Sequence, residues 1–180
     1  MHSSGPRQHD ISVVCETSLP RRLPRRLPGF DYSTAGAYFV TICAQAGAPI
    51  LGGIVDGEMH LSEAGCILDK EWARTATMRP DVRLGSHVVM PNHLHGILWL
   101  EGRDDGAEAA RTSIGAIVRG VKAAATKRIW AVSGNRLPVF QRNYFDHVIR
   151  NEAALEKIDA YILGNVRLWE EDRFFVDHLH

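Results

Sequence analysis

His93 and His95 stand two residues apart in Val88-Val89-Met90-Pro91-Asn92-His93-Leu94-His95-Gly96-Ile97-Leu98-Trp99. The surrounding residues are strand formers, and along a strand successive side chains alternate between faces. Both imidazoles therefore point one way while Leu94 enters the opposite layer. Two imidazoles at that spacing can grip one divalent cation and leave positions open for carboxamide, carboxylate, phosphate or water. The same spacing also suits two ordinary sheet histidines, and the stretch by itself leaves both readings open. With nine histidines in the chain a His-x-His pair is a weak signal. His178 and His180 repeat the pattern, but in a C-terminal tail (176–180) with no strand around it, and no ligand role is expected there.

A frame must hold that strand. Ala37–Cys43 is β-branched and aromatic and reads as a first strand. Ile50–Val55 and Glu58–Leu61 flank Asp56-Gly57, a hairpin signal. Ser62 is placed to cap a helix running to about Thr77, with Ile67, Leu68 and Trp72 on its core face. Two strands follow, Val82–Met90 and His93–Leu100, joined at Pro91-Asn92. A second helix is expected over Ser113–Ala131, its apolar face collecting Ile114, Ile117, Val118, Val121, Ala125 and Ile129. Pro138–Arg150 reads as irregular to extended, and a last helix spans Glu152 to Asn165 or slightly beyond. The order of elements implies an α+β fold, an antiparallel sheet with helices on one face, consistent with a ferredoxin-like arrangement.

The 180 residues suffice for one domain with a real core. It is expected over 29–175, after an Arg/Pro-rich arm at 1–28 that carries Arg21, Arg22, Arg25 and Arg26. Formal net charge is +0, so composition does not announce a nucleic-acid binder, and any basic surface must come from local clustering. Arg119, Lys122 and Lys127 fall on the polar side of the second helix, as a solvated face or as a track along a DNA backbone. Cys15, Cys43 and Cys66 are too few and too scattered for a disulfide scaffold or a cysteine zinc site, which favours a reducing cytoplasm. No signal core and no apolar run of membrane-spanning length is present, so no membrane partner is expected.

The string Pro91-Asn92-His93-Leu94-His95-Gly96 after a β-rich run resembles the His-hydrophobic-His motif of the HUH single-strand endonucleases. More closely, the chain resembles the REP-associated tyrosine transposases, a group of the single-tyrosine transposases. Asp31-Tyr32-Ser33 through Cys43 is similar to that group's first strand. Phe140-Gln141-Arg142-Asn143-Tyr144-Phe145-Asp146-His147-Val148-Ile149-Arg150-Asn151 is similar to its W-Q-R-x-[YF]-[YFW]-[DE]-H-x-I-R-[ND] signature. Tyr161-Ile162-Leu163-Gly164-Asn165 matches its Y-I-x-x-N stretch. The resemblance runs in order from about residue 28 to 172. It departs at Val166, where the group usually has Pro, and at Phe140, where Trp is common.

The resemblance implies that Tyr161 is a nucleophile and that Asn165 joins His93 and His95 around Mg²⁺ or Mn²⁺. Positions four apart share one helix face, so Tyr161 and Asn165 can address one centre. The implied activity is cleavage and rejoining of single-stranded DNA through a 5′-phosphotyrosine link, on hairpin-type substrates, by a monomer or homodimer. Arg142 and Arg150, close to the catalytic segment, are expected to meet phosphate. Simpler roles accompany each residue: a core aromatic for Tyr161, a left-handed helix cap for Asn165, a structural hydrogen-bonder for His147. Tyr144 is the rival nucleophile. Rival functions are a non-catalytic binder of single-stranded or hairpin DNA, and a hydrolase that activates water at the two histidines.

Overall fold

The computed structural model describes residues 34–102, 112–171 and 174. The Arg-rich arm and the His178/His180 pair lie outside them. The first strand, β1 (Gly36–Cys43), runs into a 3-10 turn at Gln45–Gly47 and then a small hairpin of β2 (Gly52–Val55) and β3 (Glu58–Leu61). Asp56 (φ 52°) and Gly57 (φ 77°) are both left-handed there, the geometry that closes a two-residue hairpin with the natural strand twist. Helix α1 (Glu63–Met78) begins where the Ser62 hydroxyl accepts the Gly65 amide, satisfying one of the helix's open N–H groups. Strands β4 (Val82–Val89) and β5 (His93–Leu100) follow. Helix α2 (Ile114–Ser133) is capped by Ser113 and stopped by left-handed Gly134. Within the segment expected to be irregular to extended lies a short strand, β6 (Phe145–Ile149). Helix α3 (Glu152–Gly164) starts at Asn151, whose side chain accepts the Ala154 amide.

The main sheet has the order β4-β5-β1-β6, every neighbour antiparallel. With the chain succession β1, α1, β4, β5, α2, β6, this is the ferredoxin-like arrangement. The protein is therefore α+β. One detail differs from expectation, because the helices cover both faces of the sheet. On one face Tyr38, Val40, Ile42, Leu94 and Leu98 pack with Leu68 and Trp72 of α1 and with Ile114, Ile117, Val118, Val121, Ala125 and Ile129 of α2. On the other, Ala37, Ile97 and Ile149 meet Ile162 of α3, with Ala154, Leu155 and Ile158 at the margin. A period-2 strand with apolar residues on both faces demands two covering layers. Phe39, Ile97 and Ile149 alternate with the residues of the larger core, and α3 supplies their cover.

Gly96 is part of this packing. A Cβ built there would lie 2.3 Å from Trp72 Cζ2, so the indole of α1 rests directly on the bare backbone of β5. Among the described residues no helix is long and apolar enough to cross a membrane.

Candidate active site

Strand β5 sits between β4 and β1, and its register fixes what faces α3. His93 pairs with Cys43 and His95 with Thr41, while Leu94 points to the larger core. Both imidazoles are completely buried, with ring centroids 4.3 Å apart. Each ring is held from behind. His95 Nδ1 shares a 2.8 Å hydrogen bond with Thr41 Oγ1, and His93 Nδ1 lies 2.8 Å from Asn92 Oδ1. Thr41 and Asn92 are themselves buried.

Helix α3 crosses this face. Its Tyr161 hydroxyl lies 3.2 Å from His95 Nε2, and the phenol ring is 5.3 Å from the imidazole. Two turns further on, the Trp169 ring lies 5.9 Å from His93. Asn165 stands midway between those residues, four positions from each, and is 1% exposed. Its backbone is right-handed (φ −58°), so it is not the left-handed cap that asparagine often supplies. The chain instead continues from α3 through a turn into the 3-10 segment Trp169–Glu171, consistent with Val166 where a proline would stop it. Aromatic rings close the surroundings: Phe39 against His95 (5.1 Å), and Phe174 against His93 (4.7 Å) and Phe145 (5.9 Å). Such rings exclude water and strengthen any electrostatic interaction made among them.

Does this set suit a cation? Among the described residues no group of three His, Cys, Asp or Glu side chains converges. The available donors are two imidazoles plus a carboxamide. Both Nδ1 atoms are engaged by buried neighbours and His95 Nε2 faces Tyr161 of α3, the second-layer arrangement typical of metal-binding histidines. The donor chemistry fits a divalent ion held by His93, His95 and Asn165, with remaining positions for phosphate and water.

The other singled-out residues are placed as follows. Arg119 and Lys127 are exposed on α2, across the sheet from Tyr161. Lys127 shares a shallow pocket there with Arg74 and Arg128, which both pair with the buried carboxylate of Glu71 (3.2 and 2.8 Å). Lys122 differs from its two neighbours. Its Nζ donates to the carbonyls of Gln141, Arg142 and Asn143, pinning the segment before β6 to α2. Burial lowers its pKa from the ordinary lysine value, opposed in part by the Cys43 thiol. Arg142 and Arg150 are exposed on either side of β6, and His147 is exposed within it. Tyr144 packs against the larger core rather than with the imidazoles. Thr41 and Asn92 were not singled out from the sequence. Their signals were a lone polar residue in an apolar strand and an asparagine wedged between proline and histidine.

No family model matches the chain. The fold is shared with a REP-associated tyrosine transposase solved bound to a REP hairpin: TM-score 0.54, 22% identity, covering 79% of this chain and 72% of that one. A candidate transposase from Deinococcus radiodurans R1 is more distant, at TM-score 0.47 and 16% identity over 77% of this chain and 95% of that one. In sequence, an uncharacterized protein of Haemophilus influenzae is 34% identical over 182 residues, 93% of this chain and 100% of the relative. The chain belongs to the same family as that Haemophilus protein.

Proposed function

We propose that this protein cleaves and rejoins single-stranded DNA through a covalent tyrosine–DNA intermediate, acting on hairpin-associated sites. The observation that carries the reading is the contact between Tyr161 and the His-x-His pair, a hydroxyl 3.2 Å from His95 Nε2 at the edge of an otherwise buried site. Tyr161 is 38% exposed where the imidazoles are completely buried, so it forms the outer side of the site, the side a strand would approach. In the reaction the Tyr161 oxygen attacks phosphorus, the P–O3′ bond breaks, and the 3′-oxygen leaves with a proton. The product is a 5′-phosphotyrosyl link that conserves the bond energy for rejoining. A phenol with a pKa near 10 attacks poorly at neutral pH, so its proton must be drawn off as the bond forms.

His93, His95 and Asn165 would hold Mg²⁺ or Mn²⁺, which when bound supplies Lewis-acid polarisation of the phosphate. The aromatic enclosure keeps water from competing with the tyrosine. Exposed Arg142 is suited to a phosphate contact before β6, Arg150 to one further along the sheet, past the end of β6 that pairs with Ala37, and Arg119 and Lys127 to a backbone contact on the far face. The shared fold with a transposase bound to a REP hairpin supports DNA as the partner and a hairpin as its form.

The test is to incubate the protein with labelled single-stranded oligonucleotides carrying hairpins, in Mg²⁺ or Mn²⁺, and look for an adduct that survives denaturation. Peptide mapping should place it on Tyr161, and Tyr161→Phe should fold, bind DNA and form none. Cut DNA without an adduct would instead mean a hydrolase using water. Binding without any cutting would mean a non-catalytic regulator.

A further inference from the structure

Asn92 lies at the entry to β5 and is 3% exposed. Its backbone is fixed on both sides: its carbonyl accepts the Ala44 amide (2.8 Å), and the Pro91 carbonyl accepts the Leu51 amide (2.9 Å). We propose that Asn92 is a positioning residue, which sets the tautomer of His93 and so decides which ring nitrogen offers a lone pair to the site.

A carboxamide has an accepting end and a donating end, and the surroundings of Asn92 distinguish them. Its Nδ2 donates to two backbone carbonyls, Gly47 O (3.1 Å) and Phe174 O (2.7 Å). Carbonyls only accept, so the amide cannot be turned around without placing oxygen against oxygen twice. Oδ1 is thereby committed to His93 Nδ1 at 2.8 Å, and an oxygen that can only accept requires a proton on that nitrogen. In the neutral imidazole the lone pair then sits on Nε2, the nitrogen directed away from Asn92. Free imidazole side chains lean toward the opposite tautomer, so the bond has a preference to reverse.

Thr41 does not do the same for His95. A hydroxyl donates or accepts with equal ease, so its 2.8 Å contact with Nδ1 fits either tautomer, and the Tyr161 hydroxyl on Nε2 is equally permissive. The two histidines are thus held by different rules. Asn92 fixes His93 in one tautomer, whereas the two hydroxyls on His95 accept either. The use of the His93 lone pair by a cation rests on the function proposed above, whereas the tautomer rests on the hydrogen bonds alone.

A purely structural asparagine, clamping Gly47 to the C-terminal segment, would lower stability on removal without touching the chemistry of the ring. Histidine-15N-labelled protein separates these roles, because two-bond proton–nitrogen correlations at about pH 8, above the ordinary histidine pKa, report each ring's tautomer directly. His93 is identified by the signal that His93→Ala removes. Metal-free wild-type protein is expected to show His93 protonated on Nδ1. Asn92→Ala is expected to shift it toward Nε2–H and to weaken Mn²⁺ binding, followed by electron paramagnetic resonance of the free ion, about ten-fold. Wild-type His93 found as Nε2–H overturns the proposal whatever the variant does. So does Asn92→Ala that keeps the Nδ1–H form, or that binds Mn²⁺ as tightly as a wild type that binds it measurably. Wild-type protein with the Nδ1–H tautomer but no affinity for Mn²⁺ upholds the assignment of Asn92 and removes the cation from the proposed function.

Discussion

Replacing Gly96 with alanine tests how tightly the histidine strand is backed by α1. The new methyl would lie 2.3 Å from Trp72 Cζ2, 2.9 Å from Cε2 and 3.0 Å from Cη2. Neither partner can retreat cheaply. Gly96 is hydrogen-bonded into the centre of the sheet, opposite Val40 on one side and His87 on the other, and the indole is completely buried. Overpacking of this kind typically costs about 1–3 kcal/mol, and a rigid strand against a rigid ring belongs at the upper end. Alanine restricts the unfolded chain more than glycine, which returns roughly 0.5–1 kcal/mol. The net expectation is a loss of about 2 kcal/mol, or roughly 4–8 °C in Tm for a domain of this size. Thermal unfolding followed by far-UV circular dichroism measures it. The Trp72 Nε1 is buried without a hydrogen-bond partner among the described residues, so Trp72→Phe removes ring atoms at the collision without breaking a polar contact they make. In that background Gly96→Ala should cost about 1 kcal/mol less, a coupling a double-mutant cycle resolves. A Tm within a degree of wild type, or strict additivity with Trp72→Phe, would refute the account of why glycine follows the second histidine.

Two further outcomes are expected. Lys122→Met should lower stability by about 1–3 kcal/mol in urea titrations, since three carbonyls lose their donor, while Lys127→Ala stays within about 0.5 kcal/mol and instead weakens DNA binding in a salt-dependent way. His93→Ala, or EDTA added to wild type, should abolish adduct formation while His178→Ala leaves it intact; full activity in EDTA would contradict the cation role.

Most elements can be read from the chain because their signals are local. Ser62 and Ser113 cap the helices they precede, Asp56-Gly57 closes the hairpin, and the six apolar positions picked out along α2 are all buried. β6 is legible only as part of a stretch that reads as irregular to extended, because Phe145–Ile149 is short, lies at a sheet edge and carries Asp146 and His147, so neither alternation nor length sets its bounds. The second helical layer was missed for a related reason. Leu155, Ile158 and Ile162 mark a stripe on α3, but which face of the sheet it covers depends on contacts distant in sequence. At the site, the shared face of His93 and His95 follows from strand geometry alone. Thr41 and Asn92 could not be found that way, because their roles arise from strand register and from carbonyls at residues 47 and 174.

The two sides of the site belong to parts of the molecule with unequal resistance to opening. β5 has a hydrogen-bonded strand on each side and is covered by α1 and α2, and α2 alone buries seven residues. α3 buries one, Ile162. Native proteins open in cooperative units whose free energies track such burial. By that measure the helix that carries Tyr161 opens at less cost than the sheet that carries the imidazoles. Excursions of α3 would carry the phenol away and bring it back many times before the sheet beneath lets go. The fixed pair of rings acts as a reference point for a phenol that moves with its helix.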